Sequence, residues 1–281
     1  MKTLFLTAGD INTASSRIRA YWPAKYMEDT ESIPLTHLAE VVPDTKNYIF
    51  QKAVNIALLD WLINKGKRVY WDICEPHHWF SPNESRTIAD KVHGVVACSS
   101  FLAEDWSEWY GKPCTVIPDR IDLSEYPIQR KHEDTKPVRF IWFGYSQNRF
   151  AFFGALANLE RLAANGHEIT LTIFDDAPDN RWNITDAFPV EYWGWSLAHE
   201  NEIIASHDIA VLPPYPGPWG KVKSDNRSQT AEACGLPVTS GFDYRALEHL
   251  VTDPAARRTQ YNRHTDAHHS AAEWGALLCR S

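Results

Sequence analysis

The chain has 281 residues, of which 44% are hydrophobic and 23% charged, and its formal net charge is −8. This is the composition of an ordinary folded globular protein, and the acidic charge disfavours a dedicated nucleic-acid-binding protein. No apolar run reaches the ~18 residues that a membrane span needs. Five cysteines without a C-x-x-C pair predict a reducing compartment without a structural zinc site, so a cytoplasmic location is expected.

Strands and helices alternate along the first half of the chain. The predicted strands are residues 2–7, 47–51, 68–74, 94–98 and 114–118. The predicted helices begin near Ser15 and Ser16, which are expected caps, and then cover residues 53–64, 84–92 and 101–110. Because each strand is followed by a helix, this half predicts a parallel α/β sheet.

The loop after the first strand carries two candidate site residues. Asp10 follows directly on the strand, and Arg17 lies at the start of the next helix. A positive charge at a helix N-terminus opposes the helix dipole, so Arg17 is expected either to contact an anionic ligand or to lie on a solvated helix face. Pro23 is expected to kink or to start that helix.

A second group of candidates lies at the end of the third strand. Asp72 and His78 belong to a run of carboxylates and histidines there, and either could act as a general acid or base. The alternative is a polar loop without a chemical role. A metal site is disfavoured because the adjacent His77 and His78 cannot both face one ion without strain.

Residues 129–137 are charged and end in a proline, which predicts a linker and two domains, 1–132 and 133–281. The second half again alternates. Its predicted strands are residues 138–143, 168–174, 190–193, 208–212 and 237–240. Its predicted helices are residues 150–164, 196–206, 226–234, 243–251, a stretch from 254 onward, and 270–278. The two runs predict two Rossmann-like, doubly wound α/β domains.

The first loop of the second half has the strand, glycine, helix arrangement that binds phosphates. Gly144, Ser146 and Arg149 are its candidates, and an ordinary strand-to-helix connection is the alternative. Asp175 and Asp176 end the next strand and are expected to be solvated carboxylates, since no third metal ligand lies near them in sequence.

The segment from Asp208 to Gly241 gives the strongest functional signal. It predicts a buried strand, a proline-rich loop, and a helix that Ser224 or Asp225 caps and that Gly235 ends in a left-handed conformation. The candidates are Lys223, Asp225, Asn226 and Arg227, which surround the helix N-terminus at the carboxyl end of a strand. Backbone N–H groups and the helix dipole favour anions there, so a phosphate-bearing ligand is expected.

These motifs resemble the donor-binding segment of GT-B glycosyltransferases, and most of all the family 4 (retaining) group. The resemblance rests on the runs Asp208–Leu212, Lys223–Arg227 and Ala231–Val238. The donor motif is atypical, because Thr230 and Val222 stand where the family has its two glutamates. The junction at residues 116–122 is also similar, with Asp119-Arg120 in place of Asn-Gly.

The resemblance implies a metal-independent glycosyltransferase that needs no cofactor and uses a nucleotide-diphosphate sugar as donor. It implies two domains facing across a cleft, the first for the acceptor and the second for the donor, with the last helix returning to the first domain. Gly144, Ser146, Arg149 and Thr230 would join the residues of the 223–227 turn in binding the donor. The acceptor is expected to be a glycan, a lipid or a small molecule.

Two alternatives stay open at this point. One is a viral type of glycosyltransferase that modifies a DNA base, which Arg17 and its basic neighbours would suit. The other is a non-catalytic nucleotide-sugar binder, because the glutamates are missing. If the reaction inverts configuration, Asp10, Asp72 or His78 would activate the acceptor; a retaining reaction needs no such base.

Overall fold

The computed structural model describes residues 2–40, 45–259 and 266–279. The chain divides into two compact units. The first contains Met1–Asp122, Pro218–Ser224 and His264–Ser281, and the second contains Leu123–Gly217 and Asp225–Arg263. The predicted assignment of residues 1–132 to the acceptor and 133–281 to the donor stays a prediction.

The strands are numbered in chain order. They are β1 (Thr3–Thr7), β2 (Thr30–Pro34), β3 (Asn47–Gln51), β4 (Arg68–Ile73), β5 (Gly94–Ala97), β6 (Cys114–Val116), β7 (Val138–Gly144), β8 (Ile169–Asp175), β9 (Val190–Gly194), β10 (Ile209–Val211) and β11 (Val238–Thr239).

The α-helices are α1 (Ala14–Ser16), α2 (Trp22–Lys25), α3 (Ile56–Asn64), α4 (His77–Phe80), α5 (Pro82–Lys91), α6 (Ser100–Tyr110), α7 (Phe153–Ala164), α8 (Glu200–Ala205), α9 (Pro218–Val222), α10 (Asn226–Ala233), α11 (Tyr244–Thr252) and α12 (Ala267–Cys279). A π-helical turn, Arg17–Tyr21, joins α1 to α2.

The first unit is built on a parallel sheet with the strand order β2-β1-β3-β4-β5-β6. Successive residues of a strand point to opposite faces, and both faces are covered. Leu4 and Leu6 face a core formed with α3, α5 and α6, whereas Phe5 faces the opposite core. Trp274 of α12 packs edge-on against Phe5 with ring centroids 5.5 Å apart. The chain order reverses between β1 and β3, which marks the edge where such sheets bind ligands.

The second unit has a parallel sheet with the order β11-β10-β7-β8-β9. Its central strand β7 is buried along most of its length because helices cover both faces. The chain order reverses between β7 and β10. The carboxyl ends of these two strands therefore form the switch point of this sheet.

Local structure departs from the sequence prediction at the first helix. Thr13 is its N-cap and makes no capping bond. Ser16, an expected cap, is fully buried and donates its hydroxyl to Gln51 Oε1 at 3.0 Å. The π-helical turn comes directly before α2, and the N–H of Trp22, the first residue of α2, donates to the carbonyl of Arg17. Pro23, the next residue, has no N–H to donate.

Three further predictions need correction. β2 was not predicted, because it is a short edge strand with a charged residue and a terminal proline. Asp175 is not solvated; it is fully buried and bonds Arg149. The helix expected from Pro254 onward is a 3₁₀ turn, Pro254–Arg257, followed by extended backbone at Arg258, and residues 260–265 lie outside the described part of the chain.

Candidate active site

Arg227 lies at the switch point of the second sheet. It is the second residue of α10, and its Nη1 donates to the carbonyl oxygen of Phe143, near the carboxyl end of β7, at 3.2 Å. The helix that carries it ends as predicted, because Gly235 takes the left-handed conformation with φ +81°. The predicted end of this helix is confirmed, whereas the predicted cap is not: neither Ser224 nor Asp225 makes a side-chain capping bond.

Gly144 leaves the space that Arg227 occupies. A Cβ at this position would lie 3.2 Å from Arg227 Nη1, closer than ordinary van der Waals contact. Its φ of +152° is also one that other residues rarely adopt. Gly144 is thus needed here for a close approach between strand and guanidinium.

The charge of Arg227 is not neutralised within the part of the chain that the structure describes, where no carboxylate forms an ion pair with it. Its guanidinium lies over the ring of Tyr215, 5.1 Å from the centroid. Burial lowers the pKa of Arg227 below its usual value. By contrast, Asp175 pairs with Arg149 and Asp208 pairs with Arg257. Arg227 is thus a partly buried cation without a carboxylate partner among the described residues.

The N-terminus of α10 is not capped by a side chain. Asp225 stands at the N-cap position but makes no capping bond; its Oδ1 accepts from Gln229 Nε2 at 2.7 Å. Asn226 opens the helix, and Thr230 is buried one turn further on. The first-turn N–H groups, which have no helical partner, are thus left without a bond from the N-cap side chain at the position where the sequence predicts an anion.

Arg149 and Ser146 make protein contacts on the loop after β7. All three guanidinium nitrogens of Arg149 donate: Nη2 to Asp175 Oδ1 at 2.8 Å, Nε to the same carboxylate, and Nη1 to the carbonyl of Asn180. Ser146 donates its backbone N–H to Asp176 Oδ1 at 2.6 Å. These bonds hold the loop against the end of β8. The predicted donor contacts of both residues stay predictions.

Lys223 belongs to the first unit, although it lies only four residues before Arg227. Its Nζ donates to Glu75 Oε1 at 2.8 Å and lies 4.9 Å from the ring centroid of Trp219. The neighbouring Val222 is buried in the core of that unit. The predicted donor contact of Lys223 stays a prediction.

Asp72 takes part in a buried ion network in the first unit. Arg19 donates to both oxygens of Asp72, with Nε to Oδ2 at 3.0 Å, and its Nη1 donates to Asp119 Oδ1 at 3.0 Å. Ser224 donates its hydroxyl to the other oxygen of Asp119. Asp72 is completely buried. Sequence reasoning missed Arg19 and noticed Asp119 only as a departure from the family junction.

His78 is buried among aromatic rings. Its Nε2 lies 2.6 Å from Asp105 Oδ2, and the rings of Trp106 and Trp109 present edges to it at 5.3 Å and 5.4 Å between centroids. Trp79 Nε1 also donates to Asp105, at 2.7 Å. This arrangement locks α4 onto α6, and the predicted acid or base role of His78 stays a prediction.

Asp10 and Arg17 lie at the switch point of the first sheet. Asp10 is exposed and accepts from the backbone N–H of Asn12 at 2.9 Å. Arg17 is buried, and its Nη1 donates to the carbonyl oxygens of Ile11 and Asn12 at 3.2 Å and 3.3 Å. Arg17 therefore shapes the loop that presents Asp10. Its predicted contact with an acceptor or phosphate stays a prediction.

The described residues contain neither a cluster of metal ligands nor a helix that could span a membrane. Within residues 2–40, 45–259 and 266–279, no group of three or more His, Cys, Asp or Glu side chains is arranged to hold a metal ion. The helices of that same part of the chain are all too short or too polar to span a bilayer.

Comparison with known proteins gave a remote sequence relative. No family model matches the chain. The glycogen synthase of Mycobacterium tuberculosis is 26% identical over 156 residues, which make up 52% of this chain and 36% of that protein. The chain thus matches about a third of the length of this relative.

The solved structures give a likeness that extends over the whole chain. HepE from Anabaena, solved with UDP and glucose, superposes with a TM-score of 0.69 at 14% identity, and the match covers 100% of both chains. The trehalose-6-phosphate synthase OtsA gives a TM-score of 0.61 at 11% identity, covering 88% of this chain and 75% of that one. At these identities the likeness shows the fold. The prediction of two Rossmann-like parallel sheets of the GT-B type is confirmed.

Proposed function

We propose that this protein is a glycosyltransferase that transfers a sugar from a nucleotide-diphosphate sugar to an acceptor. One observation carries the proposal: Arg227 is partly buried at a sheet switch point, and no carboxylate in the described part of the chain neutralises it. Leaving such a cation without an anion is costly. A diphosphate supplies that anion.

The chemistry follows from the charge that develops when a glycosidic bond to a diphosphate breaks. Negative charge grows on the leaving phosphate, and fixed positive charge at that point lowers the barrier. Arg227 and the first N–H groups of α10 would supply it without a metal ion or a cofactor. Gly144 would let the phosphate approach the strand end, because it has no side chain.

A uridine nucleotide is our proposed donor. The proteins of similar fold include HepE, solved with UDP-glucose as well as with UDP and glucose. In this chain, Asn226 and Asp225 would shape the turn around the diphosphate, and Thr230 would take the position of the family's ribose-binding glutamate. Retention of configuration, as in family 4, is part of the proposal and requires no protein base.

The remaining parts of the proposal concern the acceptor and the compartment. All five cysteines are free, which supports a reducing, cytoplasmic location. In a retaining transfer no protein base is needed, so Asp10 would not act as one. Asp10 is an exposed carboxylate at the switch point of the first sheet, and there it could orient a hydroxyl group of the acceptor.

Calorimetric titration of UDP into the full chain tests the donor site. Arg227→Ala should raise the Kd about 10- to 100-fold, which equals the ~1.5–3 kcal/mol of a charge-assisted hydrogen bond. Arg245→Ala is the matched control, because Arg245 is an exposed arginine on α11 of the same unit. Wild-type affinity in the Arg227 variant would overturn the proposal.

A second measurement separates an enzyme from a binding protein. Release of UDP from UDP-glucose, with and without candidate acceptors, should be measurable in the wild type and lost in Arg227→Ala. If the protein binds UDP but does not cleave UDP-glucose with any acceptor, it is a non-catalytic binder.

A further inference from the structure

An aromatic pair, Phe80 and Trp219, lies at the surface of the first unit; Phe80 is exposed and Trp219 is partly buried. Phe80 ends α4 and is 70% exposed, the highest value for a large apolar side chain in the described part of the chain. Its ring centroid lies 5.7 Å from that of Trp219 on α9. Exposed apolar area of this kind is unfavourable in water and favours a ligand that covers it.

A charged cluster lies beside this aromatic pair. Its members are Lys52, Glu75 and Lys223. Glu75 Oε1 lies 2.8 Å from Lys223 Nζ, and Glu75 Oε2 lies 2.9 Å from Lys52 Nζ. The three side chains are 24–31% exposed, so each can reach a ligand. Because Lys223 Nζ also lies 4.9 Å from the Trp219 ring, the cluster and the aromatic pair form one surface.

The cluster is fixed to the carboxyl edge of the sheet. Lys52 follows β3 directly and has a left-handed backbone, with φ +67°. Its N–H donates to the carbonyl of Asp72 at 2.8 Å, and its carbonyl accepts from Trp71 Nε1 at 3.1 Å. These bonds hold a backbone conformation that residues with a side chain rarely adopt, as is common where side chains are positioned for a ligand.

Glu75 is ionised at neutral pH. Burial acts to raise its pKa, but the hydrogen bonds from Lys223 and Lys52 outweigh burial and lower the pKa below its usual value. The cluster therefore offers carboxylate lone pairs as acceptors and ammonium N–H groups as donors, side by side.

We propose that Phe80, Trp219 and the cluster of Lys52, Glu75 and Lys223 bind the acceptor, and that the acceptor is a saccharide. This inference rests on the proposed glycosyltransferase function and names its acceptor class. A pyranose ring has an apolar C–H face that stacks on an aromatic ring and an edge of hydroxyl groups that donate and accept hydrogen bonds. The surface matches both parts.

Other acceptor classes fit this surface less well. A lipid chain would cover the aromatic pair but would also desolvate three charged groups without bonding them. A nucleic acid would bring phosphates against Glu75, in a chain whose net charge is −8. A sugar, being uncharged and rich in hydroxyls, leaves the ion pairs intact.

Saturation-transfer NMR on the full chain tests the inference. The probes are the methyl glycosides of glucose, galactose, mannose and N-acetylglucosamine. At least one should bind, and Trp219→Ala and Phe80→Ala should each raise its Kd about 10-fold, a change of ~1.4 kcal/mol. Trp219→Phe, which keeps a stacking ring, should retain most of the affinity. Trp61→Ala is the matched control, because Trp61 is 47% exposed on α3 of the same unit and lies outside the surface.

UDP titration of the same variants separates this inference from the proposed function. Wild-type UDP affinity together with lost glycoside binding in Trp219→Ala and Phe80→Ala supports it. Phe80 is so exposed that its variant should fold normally even if the Trp219 variant does not. Failure of every glycoside to bind, or binding that both variants leave unchanged, would overturn it while UDP binding stands. If the wild type does not bind UDP, the donor proposal is refuted instead.

Discussion

Gly144 and Arg227 are in close contact: a Cβ at residue 144 would lie 3.2 Å from the guanidinium Nη1. Gly144→Ala should therefore displace the end of the arginine side chain, and it should also strain the backbone, because other residues rarely adopt a φ of +152°. We expect an approximately 10-fold rise in the Kd for UDP, or ~1.4 kcal/mol, measured by calorimetry.

The control for this substitution is Gly275→Ala. An added Cβ there meets nothing within 4 Å, and Gly275 lies on α12 of the first unit. It should change neither UDP affinity nor the melting temperature. Unaltered UDP binding in Gly144→Ala would show that the arginine does not contact the nucleotide.

Asp208 stabilises the second unit by neutralising the partly buried Arg130 and the buried Arg257. It is fully buried and accepts from Arg130 Nη2 at 2.6 Å, and Arg257 Nη1 lies 4.0 Å away. Asp208→Asn should lower the free energy of unfolding by ~3–5 kcal/mol, because Arg257 would stay buried without its counter-charge. Urea unfolding measures this. Asp90→Asn, at an exposed pair with Lys112, should have little effect, and a similar loss there would contradict the explanation.

His207 should make the second unit less stable in acid. Burial lowers its pKa to about 4, and its ring lies 2.8 Å from both Ile203 O and Thr172 Oγ1. The unfolded chain, with a pKa of about 6.5, binds the proton more readily. Stability is therefore full above about pH 6.5 and falls by ~3 kcal/mol on going down to pH 4.

Unfolding free energies from pH 8 to pH 4 test this dependence. The carboxylates also contribute in acid, so the quantity to compare is the difference between wild type and His207→Gln. That difference should shrink as the pH falls. A constant difference over this range would mean that His207 does not titrate as described.

Two of the candidate acceptor bases, Asp72 and Asp10, should differ in what their substitution does to stability. Asp72→Asn should lower the free energy of unfolding by ~3 kcal/mol, because the buried Arg19 would lose one of the two carboxylates with which it pairs. Asp10→Asn should leave the melting temperature unchanged, because Asp10 is exposed and bonds only Asn12 through its side chain. Transfer activity lost in a stable Asp10 variant would identify it as the residue that touches the acceptor. A stable, inactive Asp72 variant would contradict this assignment.

The alternation of strands and helices could be predicted because it is encoded locally. The run Val138–Phe143 is apolar except for Arg139, as is typical of a strand with two covered faces, and Gly235 marks the end of a helix by its own conformational freedom. The edge strand β2 was not predicted. It pairs with only one strand and is only partly buried, so its sequence contains few apolar residues.

The roles of the charged residues could not be predicted, because their partners are distant in sequence. Arg149 and Arg227 have the same local setting, each in a loop or helix start after a buried strand. They differ because Asp175 reaches Arg149, whereas no described carboxylate reaches Arg227. Likewise, Lys223 and Glu75 are brought together only by the path of the chain.

That path limits how this protein can be dissected. The first unit is assembled from three separate stretches, and Val222 and Trp274 reach its interior from the second and third of them. A fragment that stops at residue 122 lacks both side chains, so the apolar core residues that they cover would be exposed to solvent. Expression of the first unit as this truncated fragment should yield insoluble material. A fusion that adds back the two missing stretches can form the native core.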